Sequence, residues 1–549
     1  MSLPALDDTA GSVTLDGSVT LDGAPITPPR SRSTSRAPAW LWIATAVALI
    51  PISIPLLFLG GRVISSGSAA WDVVTEGRTI ELLVRSIAFT SIVTASAVAI
   101  GVAAAWITVR ADLGARGIWT ALVALPLVIP SYVIAMTFIS FSGPRGLFAD
   151  VTGWGLPSVS GFPGAWLALT LSTYPYVFLI TRSALRRIDP VLEEAAHGLG
   201  ATAWKTFRTI VLPQLRPSIV AGGLLAALYT LSDFGAVSLL RFDVFTRVIY
   251  AQYEGRLDRT PAAVLSIILI LVVLIVLWLE QRSRGRAVYF PARPHGRSHQ
   301  IGLTRRSRVV AVGFLGALVT AGLVLPLGTL TIWLGRGLAR GDDLDMRWGA
   351  LAGSVAGSTV AALVAAGAAI PIVVLTVRHR SRLTSWLERA VYLIFSLPHI
   401  TVALAVVFFA AAYLGPLYQS FAVLVIVYAV LFLAQATGVG AAALLQVNPS
   451  VEEASRGLGK TRLQTLRRVT LPLISRGLLT GAALVFLTTM KELPATLLLR
   501  PTGFDTLAVR IWSTANDLFY ARAAAPALLL VAVSALPTYL ILTRMRDTA

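Results

Sequence analysis

The chain has 549 residues, 56% hydrophobic and only 13% charged, with a formal net charge of +19 and a mean hydropathy of +0.75. A water-soluble domain does not carry this balance, whereas a chain of many membrane spans does. Cysteine is absent, which excludes a disulfide framework and thiolate-ligated metals; the positive charge lies between apolar stretches, where it reads as membrane topology and not as a nucleic-acid face.

Residues 1–38 are polar and rich in Ser, Thr, Pro and Gly, with a direct repeat, Gly11 to Asp16 followed by Gly17 to Asp22. That composition predicts a disordered cytoplasmic tail, and a secretory signal would place its apolar core earlier. Arg30, Arg32 and Arg36 precede the first apolar run, which puts the N-terminus in the cytoplasm and makes that run an uncleaved anchor.

Twelve apolar runs of bilayer-crossing length follow, at about 39–60, 83–109, 117–142, 163–184, 217–240, 261–280, 308–334, 350–377, 388–412, 419–444, 476–498 and 523–543. Each is expected to be a helix, because lipid offers open backbone groups no water. Basic residues follow every even-numbered run: Arg110 and Arg116, then Arg182 to Arg216, then Arg282 to Arg306, then Arg378 to Arg389, and Arg544 and Arg546 at the C-terminus. The loops 143–162 and 413–418 hold few, so both termini are expected on the cytoplasmic side. The Arg-, Gly- and Pro-rich stretch 281–307 separates six runs from six. The expected organisation is a tail at 1–38, a first unit at 39–280, a basic cytoplasmic linker at 281–307 and a second unit at 308–549.

The loop after the fourth run repeats after the tenth at one fixed offset. Of the 25 positions in 189–213 and 448–472, twelve are identical: Pro190, Glu193, Glu194, Ala195, Gly198, Leu199, Gly200, Thr202, Thr206, Arg208, Leu212 and Pro213, with their counterparts 259 residues on. Asp189 or Asn448 is placed to cap a helix whose first residue is proline. Glu193 and Glu452 fall in its first turn, where the helix dipole favours them. The Gly198–Gly200 and Gly457–Gly459 segments end it. Thr202 or Thr461 starts a second helix, expected to stop before Pro213 or Pro472. A polar connector has no reason to keep this spacing twice.

Glu194-Ala195-Ala196, then Gly200, Leu212 and Pro213, resemble the EAA signature of the membrane subunits of ABC importers; Glu453-Ala454-Ser455, Gly459, Leu471 and Pro472 resemble it again, with Ser as a mild departure. The resemblance covers residues 39–549. It implies an all-α membrane protein with about twelve transmembrane helices in two tandem six-helix type I ABC importer permease units. It implies two copies of a nucleotide-binding ATPase subunit docked on the loops, an extracytoplasmic solute-binding protein, and a multi-pass position in the inner membrane. It implies coupling roles for Glu193, Glu194, Ala195, Ala196, Gly198, Gly200, Leu212 and Pro213, and for Glu452, Glu453, Ala454, Gly457, Gly459, Leu471 and Pro472. ATP is then used by the partner, and no cofactor is bound here. Gly459-Lys460-Thr461 looks like the end of a phosphate-binding loop, but that motif needs Gly where Ala454 stands and a preceding strand.

Two corresponding stretches carry charge within apolar runs: Ser232-Asp233-Phe234 through Arg241, and Lys491-Glu492-Leu493 through Arg500. A carboxylate there is costly and points to an internal pathway or a partner. Glu492 pairing with Lys491 or a neighbouring helix, or lying near the outer interface, is the alternative. His399 follows Pro398 as Ser131 follows Pro130; it reads as a hydrogen-bonded packing residue, with metal ligation or proton transfer as the other role. The stretch Lys491 to Asp505, and Leu231 to Tyr250, resemble the fused permeases of ferric-iron ABC importers, which implies ferric iron as the solute; related fused permeases serve thiamine, aminoalkylphosphonates and polyamines. An ion-driven secondary transporter would need more intramembrane carboxylates than Asp233 and Glu492. A membrane enzyme would need a cluster of nucleophile, base and metal ligands that the chain lacks.

Overall fold

A computed structural model describes residues 20–21, 24–25, 37–144, 146–255, 258–283, 302, 304–341 and 348–546. Most of the expected tail and linker therefore lie outside the described residues. Within the tail, Thr20–Leu21 pairs antiparallel with Ala24–Pro25; the rest of the described chain is helical.

The first half runs α1 (Ala39–Ser65), α2 (Ser68–Thr75), α3 (Gly77–Arg110), α4 (Arg116–Ala124), α5 (Ser131–Phe141), α6 (Leu147–Thr152), α7 (Gly161–Leu185), α8 (Pro190–Gly198), α9 (Ala203–Thr206), α10 (Leu212–Ser232), α11 (Gly235–Leu239), α12 (Phe245–Gly255) and α13 (Thr260–Ser283). The second runs α14 (Arg305–Val319), α15 (Leu325–Arg340), α16 (Trp348–Arg378), α17 (Arg382–Ser396), α18 (His399–Tyr413), α19 (Phe421–Leu431), α20 (Leu433–Gln446), α21 (Pro449–Gly457), α22 (Arg462–Thr465), α23 (Leu471–Met490), α24 (Pro494–Leu499), α25 (Leu507–Asn516) and α26 (Tyr520–Arg546).

Among the described residues, eight helices are long and apolar enough to cross a membrane unbroken. Three of the expected spans are broken instead: 117–142 bends by 92° between α4 and α5, 388–412 by 98° between α17 and α18, and 419–444 by 49° between α19 and α20. The cause of the first two is Pro130 and Pro398, each in non-helical backbone just before the second helix. The ring forbids the helical bond there and pushes the preceding residue out of the α region. The twelfth run falls on α26, of which the described part Tyr520–Ala535 is apolar.

The second loop helix was expected to stop before proline, and it does not. Phe207–Val211 and Leu466–Thr470 are π turns that lead directly into α10 and α23. Leu212 N–H donates to Phe207 O and Leu471 N–H to Leu466 O, five residues back. The wider turn makes room for the proline ring that follows, so the helix continues through it. Leu325-Pro326 after the π turn Thr320–Val324 repeats the device.

In each half, the helix after the first span packs on two helices flanking the loop: α3 on α7 and α10, and α16 on α20 and α23. Small residues permit the approach, as is usual between membrane helices. A Cβ on Gly101 would lie 2.7 Å from Val177 Cβ and 2.9 Å from Phe178 N. Between halves, α5 touches α25 and α26, and α18 touches α12 and α13, a pseudo-twofold exchange. The first span of each half also crosses over: α1 packs on α16, α18 and α19, while α14 and α15 meet α4 and α5.

Candidate functional site

Two sites repeat in the halves: a surface knob formed by each duplicated loop, and an interior cluster where broken helices meet. In the first knob, Asp189 Oδ1 accepts from Val191 N–H at 3.0 Å, and Gly200 takes φ +81°. In the second, Asn448 Oδ1 accepts from Ser450 N–H at 3.1 Å, and Gly459 takes φ +81°. That left-handed turn is open to glycine at no steric cost. Gly198 and Gly457 are the last residues of α8 and α21, and Leu212 and Leu471 the first of α10 and α23, each followed by proline. Thr461 and Gln464 cap α22 reciprocally, at 3.2 and 3.0 Å. Gly459-Lys460-Thr461 is thus the turn between two helices, with no strand before it.

Glu194, Ala195, Glu453 and Ala454 are exposed, and Ala196 is half-buried. Leu199 and Leu458, at the tips of the two turns, are 89% and 83% exposed. Each knob thus presents an exposed leucine near an exposed carboxylate, alike in the two halves. Ser455, the departure from the first copy, binds Thr465 Oγ1 at 3.1 Å and ties α21 to the next helix.

Glu193 and Glu452 face inward. Arg110, the last residue of α3, donates to Glu193 Oε1 with both side chains buried. Arg378, the last residue of α16, donates to Glu452 from Nε at 3.1 Å and from Nη2 at 3.3 Å. Thr470 Oγ1 donates to the same Glu452 at 3.0 Å; Val211 holds that place in the first half. The sequence marks both arginines only as cytoplasmic-side charge and not as partners of the glutamates, although Arg378 stands 268 residues after Arg110, the separation already shared by Ser131 and His399.

The interior cluster sits where α10 and α23 end. Ser131 Oγ donates to Asp233 Oδ2, and Asp233 Oδ1 accepts from Ala236 N–H at 3.0 Å, capping α11. His399 Nδ1 lies 2.7 Å from Glu492 Oε2, and Glu492 Oε1 accepts from Ala495 N–H at 3.0 Å, capping α24. Glu492 therefore pairs with a neighbouring helix and not with Lys491, and His399 is hydrogen-bonded. Lys491 Nζ reaches into the other half and donates to Leu127 O at 3.1 Å. Trp512 Nε1 donates to Ser238 Oγ at 2.7 Å across the same boundary, and Trp512 packs on Phe234 and Tyr250. A Cβ on Gly235 would meet Tyr132 at 2.9 Å and Leu493 at 3.1 Å, so the two breaks touch. Among the described residues, no three His, Cys, Asp or Glu side chains converge on a metal-holding geometry.

Residues 80–286 and 357–546 match the profile of the family described as binding-protein-dependent transport system inner membrane component. The matches begin inside α3 and α16, leaving out both crossing spans. The Fe(3+)-transport system permease protein FbpB 2 of Haemophilus influenzae is 32% identical over 92% of this chain and 98% of its own length. The molybdenum transport system permease protein ModB of Escherichia coli is 33% identical over 34% of this chain and 87% of its own. The sulfate transport system permease protein CysT of Escherichia coli is 26% identical over 44% of this chain and 90% of its own.

Proposed function

Since the chain belongs to the family of binding-protein-dependent transport system inner membrane components, with both permease units of a type I ABC importer fused in one polypeptide, we propose that its cargo is ferric iron, moved along the interface between the units. The chain is a multi-pass inner-membrane permease and not an enzyme; ATP is used by a separate ATPase subunit. The similarity that spans 98% of the Haemophilus Fe(3+) permease carries the cargo reading. The partial likeness to molybdenum and sulfate permeases favours an oxyanion as the second reading.

In this account the units are 39–280 and 308–549, with the linker and both termini in the cytoplasm. One ATPase copy docks on each knob. Glu194, Ala195 and Leu199 form one contact, and Glu453, Ala454 and Leu458 the other. When ATP closes the ATPase pair, the knobs approach and the halves rock about the interior cluster, as repeat-built transporters do around a fixed site. Asp233, His399, Lys491 and Glu492 line that pivot, and helix breaks there supply polar backbone where the solute passes.

A strain deleted for this gene tests the cargo. It should stop growing when ferric iron is scarce and recover with the intact gene. Normal growth in scarce iron, with failure in scarce molybdate or sulfate, would transfer the reading to an oxyanion.

A further inference from the structure

We propose that Arg110 and Arg378 are positioning residues that hand the movement of each loop helix to the long helix behind it, α3 in one half and α16 in the other. The inference rests on the docking reading of the knobs and goes beyond it. It names the path by which force enters the membrane.

Each loop helix is bound covalently only to its flanking helices, α7 and α10 or α20 and α23. Glycine turns at Gly200 and Gly459 interrupt the helix at one of those attachments. The arginine closes the third side. Arg110 and Arg378 are the terminal residues of α3 and α16. Glu193 and Glu452 lie in the first turn of α8 and α21. Each ion pair therefore fastens the start of a loop helix to the end of a membrane helix that packs along the rest of its unit.

The second pair shows the device in most detail. Arg378 grips both carboxylate oxygens of Glu452 and donates to Val447 O at 2.9 Å. Val447 follows the last residue of α20. One guanidinium thus joins α16, the end of α20 and α21, using the planar fork that lysine lacks. In the first half the pair is sealed: the side chains of Arg110 and Glu193 are 0% and 3% exposed, against 16% and 13% for Arg378 and Glu452. Val109, Leu185, Ile188, Val211 and Leu215 form an apolar cluster at this end of the unit. A buried pair of this kind is weak evidence for stability, since apolar residues of similar volume can replace it. Its recurrence at the same two element ends, in spite of different loop lengths between them, points to transmission.

The assembled importer in proteoliposomes, with its ATPase and binding protein, tests this. Arg378→Ala should still co-purify with the ATPase but transport at least tenfold more slowly and lose stimulation of ATP hydrolysis by the binding protein. Arg378→Lys should recover little, because the two-oxygen grip and the Val447 bond need the fork. The double variant Arg378→Glu with Glu452→Arg should recover more transport than either single variant. Transport at the native rate by Arg378→Ala would overturn the proposal. Loss of ATPase co-purification in Arg378→Ala would also overturn it, by making the arginine part of docking. Failure of the knobs to bind the ATPase in the native chain would instead remove the docking reading beneath it.

Discussion

His399 and Glu492 meet at 2.7 Å in the place where Ser131 meets Asp233 in the other half. Each carboxylate does two jobs: it holds a residue that follows a proline break, and it caps the short helix after its own break. The two breaks of a half are thus locked together. Glu492→Ala should destabilise the protein by about 1–3 kcal/mol, since it orphans a half-buried imidazole and a helix N-terminus. A thermal unfolding midpoint in detergent unchanged from the native protein would contradict the lock.

Lys491 is the asymmetric member of this cluster. Ser232 stands at its counterpart position, so the bond to Leu127 O crosses between halves once. Lys491→Met keeps most of the length of the side chain and removes the donor. It should loosen the contact between the halves and raise ATP hydrolysis in the absence of binding protein several-fold. Hydrolysis that stays dependent on the binding protein would show that the bond does not restrain the halves.

Gly200→Val and Gly459→Val place a β-branched residue at φ +81°. A non-glycine residue in that region costs on the order of 1–2 kcal/mol, and a branched one more. No atom lies within 4 Å of the new Cβ at either site, so the strain falls on the turn and not on the core. The variants should insert normally in the membrane but lose ATPase co-purification. Retained co-purification would show that the turn geometry does not shape the docking surface.

Gly101→Leu tests helix contact inside the first unit. Its side chain would enter the backbone of α7 at Val177 and Phe178, where overpacking costs about 1–3 kcal/mol. The expected result is a lowered unfolding midpoint with α3 displaced from α7. A native midpoint would mean that the helices separate freely there.

The duplicated loops were legible because short polar helices write their caps and turns into the sequence: Asp189 and Asn448 accept the expected backbone bonds, and the glycines take the expected turn. The apolar runs at 117–142 and 388–412 were legible as membrane segments but not as bent ones. Hydropathy reports what surrounds a helix, not its direction, and the bends were signalled only by Pro130 and Pro398. The π turns escaped because proline forbids one bond without saying that a wider turn will replace it. Arg110 and Arg378 escaped for another reason. The loop repeat runs at 259 residues, while the arginines, like Ser131 and His399, are 268 apart. The nine-residue difference falls between these breaks and the loops, where the first half carries α6 and the second only a short turn. A single offset carried along the chain therefore misses the partners of its own glutamates.

The most direct test of the account is ferric-iron uptake by proteoliposomes holding this chain, with its ATPase added inside and its iron-loaded binding protein outside. Uptake should require ATP and both partners together and should fail in the Gly200→Val, Gly459→Val double variant. Iron entry at the same rate without the ATPase, driven by an ion gradient alone, would contradict it.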